Sequence, residues 1–209
     1  MGSWTRRRFD GIGLTQYPPG RHLDALQARY GGTVWLCIDV SWSMRGRPLD
    51  QAIQGGERFV REAVEAGYRC GLVLWTDRVA RYVPPTRSGR EAIAALRKAR
   101  VLGRTNLVPT LRLAKEELAP LPGDRVLCVF GDGHVGRRRQ AAELARELCA
   151  LGVRIIVRGF GADAAQELAE LACPGERDDH QLIEREESIG AGIASMATGL
   201  AAVRRANGG

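Results

Sequence analysis

The sequence predicts an α/β fold with a mainly parallel central sheet, one antiparallel edge strand and helices on both faces. Three observations carry this. The apolar runs TVWLCID (33–39), GLVLW (71–75), RVLCVF (125–130) and VRIIVRGF (153–160) are continuous rather than alternating, so each would be a strand buried on both faces. Between them lie segments with apolar residues at helical spacing, and regular alternation of strand and helix marks a parallel sheet covered on both sides. VARYV (79–83), by contrast, alternates and follows GLVLW through a Thr76-Asp77-Arg78 turn, as an antiparallel edge strand would.

In chain order, residues 1–32 are polar and punctuated by YPPG at 17–20, with one short helical stretch from Leu23 to Tyr30. They read as an N-terminal arm laid over a single domain spanning 33–205. After the first strand, Leu49, Ala52, Ile53, Gly56, Phe59, Val60, Ala63 and Val64 recur at helical spacing up to Gly67. Beyond the edge strand, Ser88 with Glu91 forms a capping box for one helix, and Asn106 caps another that runs to about Ala119. Arg137 to Ala150 is a helix, and Asp163 with Gln166 starts a short one ending near Ala172. Gln181 to Ile183 is a short strand, and Ile189, Ile193, Met196, Leu200 and Val203 mark one face of a final helix. Gly190, Gly192 and Gly199 interrupt that helix and weaken its propensity.

The length of 209 residues and the 44% hydrophobic content suit one globular domain. The net charge of +7 is carried by arginine, since Lys98 and Lys115 are the only lysines. No lysine-rich tail or aromatic platform accompanies it, so the charge does not point to nucleic acid. The five cysteines, Cys37, Cys70, Cys128, Cys149 and Cys173, are widely spaced, odd in number and without a CxxC pair, which predicts reduced thiols in a cytoplasmic protein. Export is not expected either. TRRRF at 5–9 is followed by polar sequence where a signal needs an apolar core, and no apolar run is long enough to span a membrane.

The chemistry gathers where the strands end. In a sheet of this kind ligands collect outside the carboxyl ends of the strands, where the strand order reverses. The first strand delivers Asp39, Ser41 and Ser43, RVLCVF delivers Gly131-Asp132-Gly133, and the loop before the Asn106 helix delivers Gly103-Arg104-Thr105-Asn106. These are hard oxygen donors, and a hard cation such as magnesium, with manganese or calcium as alternatives, prefers them to nitrogen or sulfur. Taken singly, the serines serve as well for helix capping and Asp132 for a turn; the joint occurrence in three loops is what points to a metal.

These segments resemble the von Willebrand factor type A domains, a Rossmann-like fold, and specifically the bacterial intracellular members with a metal-ion-dependent adhesion site. The likeness covers roughly residues 31 to 205. It rests on Asp39, Ser41 and Ser43 as D-x-S-x-S after the first strand, on Thr105 within GRTNL, and on Asp132 within FGDG. The resemblance implies that the two serines and the threonine contact magnesium, that the aspartates act largely through water, and that an Asp or Glu of a partner protein fills the last position. It further implies an adaptor without enzymatic activity in a bacterial multi-protein system, beside a MoxR-type AAA+ ATPase or in a defence system, with a last helix that moves on binding. This chain departs from the family in having Trp42 between the serines, where glycine is usual, and Gly131 where threonine is frequent.

A partner-binding rim is expected around the loops. Arg45 and Arg47 follow Ser43, Arg104 precedes Thr105, His134 lies just beyond Asp132, and Arg137, Arg138 and Arg139 open the next helix. Trp42 is either an exposed anchor in that rim or part of the core. The competing class is a magnesium-dependent phosphohydrolase of the haloacid-dehalogenase-like type, superficially matched by Asp39, Thr105, Lys115 and Asp132. That match fails at Ser41, where such enzymes need a second aspartate as general acid.

Overall fold

The computed structural model describes residues 32–132, 135–174 and 180–206. Residues 1–31, with the Leu23–Tyr30 stretch, lie outside the described residues, as do His134 and the side chain of Val203. β1 (Thr33–Asp39) is flanked in parallel by β2 (Arg69–Trp75) and β4 (Arg125–Gly131), with Val34 opposite both Cys70 and Val126. β3 (Val79–Thr86) closes one edge antiparallel to β2, and β5 (Val153–Phe160) and β6 (His180–Ile183) extend the other side in parallel. The order is β3-β2-β1-β4-β5-β6. It is the expected mainly parallel sheet with a single antiparallel edge strand, and its order reverses between β1 and β4.

The helices are α1 (Arg47–Glu65), α2 (Arg90–Leu96), α3 (Val108–Leu113), α4 (Arg138–Ala150), α5 (Ala162–Ala169) and α6 (Ile189–Ala206). α3 continues into a π-helical turn, Ala114–Leu118. Because side chains alternate along a strand, β1 feeds two cores at once. Val34, Leu36 and Ile38 pack with Phe59 of α1, Leu96 of α2 and Ile193 of α6, whereas Trp35 and Cys37 pack with Leu111 of α3, Leu148 of α4 and Leu168 of α5. The continuous apolar run of β1 is thus explained: each residue faces one core or the other.

α1 and α6 meet backbone to backbone. A Cβ added to Gly55 would lie 2.5 Å from the carbonyl oxygen of Gly190, and one added to Gly192 would run into the Ile183 side chain. Gly190 is therefore a close-contact position where a side chain would hold α1 and α6 apart, and Gly192 is one against β6.

Several local expectations differ. β3 runs on through Pro84 and Pro85 to Thr86; an edge strand tolerates prolines because one of its sides has no ladder partner. Ser88 does not cap α2, which starts at Arg90 behind a left-handed Gly89 (φ 61°) with no side-chain cap. Likewise Asp163 sits inside the first turn of α5, which begins after Gly161 (φ 89°). Asn106 does accept a hydrogen bond from the Val108 N–H at 3.3 Å, although Leu107 occupies the cap position.

The expectation of five reduced thiols is overturned. Cys149 and Cys173 form a disulfide with Cα atoms 5.7 Å apart, while Cys37, Cys70 and Cys128 are free and buried. Cys149 stands in the last turn of α4 just before β5, and the Cys173 sulfur lies 3.3 Å from the carbonyl oxygen of Val153, the first residue of β5. The start of one strand thus gathers two cysteines separated by 24 in sequence. Among the described residues, no helix is long and apolar enough to cross a membrane.

Candidate metal centre

The reversal of strand order places the ends of β1 and β4 side by side, so Asp39 and Asp132 come together from adjacent strands. Just past β1 the Val40 N–H still bonds to the Trp75 carbonyl (2.9 Å), and then the chain turns because the Ser41 N–H donates to Asp39 Oδ1 at 2.8 Å. A short 3-10 turn, Trp42–Met44, follows, and Gly46 (φ 85°) redirects the chain into α1. That turn sets Ser43 over Asp132. The Ser41 and Ser43 hydroxyls lie 2.9 Å apart, and the Ser43 hydroxyl donates to Asp132 Oδ1 at 2.8 Å.

Asp39 is fully buried, and its Oδ2 is enclosed without a hydrogen-bond partner among the described residues. Burial pushes its carboxyl up to about 7, against the pull of the Ser41 N–H and hydroxyl, and the nearby Asp132 adds to the rise. Asp132 is raised as well, by burial first, with the Ser43 hydrogen bond opposing. An orphaned buried carboxylate oxygen is costly in water-free surroundings unless something positive meets it.

Gly131 leaves room for this arrangement. A Cβ there would stand 3.2 Å from the Trp75 ring and 3.5 Å from Asp39 Oδ2, so a threonine would press on a fully buried tryptophan. The glycine at this position has its counterpart in the bulk of Trp75.

The third loop is tied to the other two through its backbone. Leu102 N–H bonds to the Val40 carbonyl (2.7 Å), Trp42 N–H to Gly103 (3.3 Å), Asn106 N–H to Thr76 (3.0 Å) and Leu107 N–H to Val135 (3.0 Å). Thr105 is half-buried on this loop and, among the described residues, makes no side-chain hydrogen bond. Asp39, Ser41, Ser43 and Asp132 are thus joined in one network, and Thr105 is delivered beside it by its loop.

The donor set fits a hard divalent cation. It consists of hydroxyls and carboxylates, hard donors that such a cation prefers to nitrogen or sulfur.

Of the rim residues, Trp42 is 59% exposed, which decides between anchor and core in favour of the surface. Arg45, Arg104, Arg137 and Arg139 are exposed too. Arg47 stands 4.0 Å from Glu186, and Arg138 grips Glu170 through two of its nitrogens. Arg138 is therefore committed to an intramolecular pair, because its guanidinium sits over α5. Glu167, on α5, accepts the Val135 N–H at 3.0 Å through its carboxylate. On sequence alone it is one of several acidic residues on a short helix.

The family model of the von Willebrand factor type A domain matches residues 34–134. Among solved structures, the pilus adhesin SpaC from Lactobacillus rhamnosus GG superposes with a TM-score of 0.71 at 13% identity, over 82% of this chain and 31% of that one. The vWF domain of the type V pili tip protein Mfa5 from Porphyromonas gingivalis gives a TM-score of 0.71 at 13% identity, over 82% of this chain and 95% of the other. Proximal thread matrix protein 1 from the mussel byssus, solved with a zinc-occupied MIDAS motif, gives 0.56 at 14% identity, over 81% of this chain and 46% of the other. The chain therefore spans less than half of the SpaC and byssus chains, and at these identities the likeness is one of fold. No curated protein matches the chain.

Proposed function

We propose that this chain is a von Willebrand factor type A domain acting as a metal-dependent protein-binding module, with Asp39, Ser41, Ser43, Thr105 and Asp132 holding magnesium and a carboxylate of a partner protein completing the coordination. The observation that carries this reading is Asp39 Oδ2, buried and without a partner among the described residues, at the head of a hydrogen-bonded series running through Ser41 and Ser43 to Asp132. When bound, magnesium would supply a positive, exchangeable position at the surface, since it dehydrates reluctantly and keeps open sites.

The chain's own residues do the rest. The Ser41 N–H orients Asp39, and Ser43 gives its proton to Asp132, which leaves hydroxyl lone pairs for a cation. The exposed Trp42 ring offers an apolar contact next to the charged one, the kind of side chain that anchors interfaces. Arg45, Arg104, Arg137 and Arg139 favour an acidic partner surface. A MoxR-type AAA+ ATPase or a defence-system component is the partner the family resemblance suggests. A cytoplasmic setting is the part of the reading that the Cys149–Cys173 bond weighs against, because such bonds persist mainly in oxidising compartments.

The phosphohydrolase reading is less well supported. Lys115, its candidate phosphate-binding lysine, pairs with Glu147 at 2.8 Å. Glu147 lies nine residues beyond Arg138 on α4, about 13 Å along a helix that leads away from the Asp132 loop. Pull-down of binding partners with wild type and Asp39→Ala, with magnesium or with chelator, tests the proposal. An acidic partner retained only by wild type in magnesium is the expected result; the same partners in every condition would overturn it.

A further inference from the structure

We propose that Glu167 is a positioning residue for the metal loops: from α5 its carboxylate fixes the backbone at Val135 and thereby the placement of Asp132 and Thr105 relative to each other. This rests on the metal-dependent reading above. Val135 is fully buried, its N–H donates to Glu167 Oε2 at 3.0 Å, and its carbonyl accepts the Leu107 N–H at 3.0 Å. One residue thus faces α5 on one side and the Thr105 loop on the other. Gly136 (φ 78°) tightens the joint, since a Cβ there would come within 2.8 Å of the Thr105 carbonyl oxygen and the Asn106 Cα. Residues 135–136 are therefore a clasp between the loop that carries Thr105 and the loop that carries Asp132.

The clasp needs a fixed point, and α5 supplies one. Gly159 of β5 lets the helix backbone approach so closely that an added Cβ would lie 2.4 Å from the Ala165 Cα, and Glu170, less than a turn beyond Glu167, grips Arg138 at the start of α4. A charged acceptor on a rigid support makes a stronger hydrogen bond to a buried N–H than a neutral one. Glu167 lies beyond the stretch matched by the family model, which ends at residue 134. The brace thus comes from outside the stretch that carries the ligands.

The test uses the full chain with Glu167→Ala, Glu167→Gln and Glu167→Asp, read by titration with manganese and by hydrogen exchange of the Val135 amide in metal-free protein. Glu167→Ala should weaken manganese binding about tenfold, the lower end of what outer-sphere partners contribute, and speed Val135 exchange. Glu167→Gln keeps a carbonyl oxygen at the same reach and should recover most of both readings, short of wild type only by the weaker bond of a neutral acceptor. Glu167→Asp keeps the charge but withdraws it by one methylene, and should fall with alanine. If alanine at 167 prevents folding, the order of the other two variants decides. Aspartate behaving like wild type while glutamine fails would show that charge, not the hydrogen bond, matters, and would overturn the proposal, as would unchanged affinity and exchange in all variants. Wild type that binds no manganese would instead remove the metal reading, with Val135 exchange still reporting on the clasp.

Discussion

Ser43 and Asp132, 89 residues apart in the chain, are joined by a 2.8 Å hydrogen bond in which the serine hydroxyl is the donor. The direction matters, because a hydroxyl that gives its proton to a carboxylate presents only lone pairs to the opposite side. The bond exists because β1 and β4 are neighbours whose carboxyl ends lie side by side.

Removing the centre of that arrangement should remove metal binding and leave the fold. Asp39→Ala should show no magnesium or manganese uptake by calorimetry with an unchanged circular dichroism spectrum. Ser43→Ala should bind more weakly than wild type, by at least the roughly tenfold that an outer-sphere partner contributes. Wild-type affinity in Asp39→Ala would show that the three loops hold no metal.

The carboxyls also predict how metal-free stability depends on pH. Asp39, raised to about 7, holds its proton more tightly in the native state than in the unfolded chain, and Asp132 is raised in the same sense. Their sign is therefore opposite to that of a salt-bridged carboxylate: stability in chelator is greatest below the unfolded value and falls as pH rises toward 7. Thermal melts in EDTA between about pH 4 and 7 should show this decline, and Asp39→Asn should flatten it. A melting temperature that climbs over the same range in wild type would contradict the burial of Asp39.

Alkylation followed by mass measurement on denatured, unreduced protein should label Cys37, Cys70 and Cys128 and spare Cys149 and Cys173. Replacing the bonded pair with serine should cost roughly 3 kcal/mol, the entropy of closing a loop of this length. Labelling of all five would mean that the bond does not form.

For the arginine rim, Arg137→Gln with Arg139→Gln should slow association with an acidic partner and flatten its dependence on salt, leaving metal affinity level or slightly higher. Arg138 is excluded from this pair because its guanidinium holds Glu170. Identical association rates at low salt would show that these side chains are only solvated surface.

The fold was legible because burial on both faces forces continuous apolar strands: all seven residues of β1 are buried, and the sequence there reads without interruption. The ligand candidates were legible because oxygen-bearing side chains stand at the ends of such strands. What escaped depends on distance in the chain. Cys149 and Cys173 meet only because both pack near the start of β5, and Glu167 reaches Val135 only because Gly159 admits α5 so closely. Helix starts failed for another reason. Ser88 has the right composition for a cap, but the left-handed turn at Gly89 moves the cap position past it, leaving the Ser88 hydroxyl only a 3.5 Å contact with the Arg90 N–H.

The contact of Gly55 with Gly190 sets an order of events for folding. α1 is synthesised well before α6, so the face of α1 that carries Gly55 stays uncovered until α6 has been made. Closing so long a loop is entropically slow, and surface left open in the meantime invites association with other chains. Shortening the chain before α6 should therefore yield aggregates rather than a smaller soluble domain, although every candidate ligand would already be present.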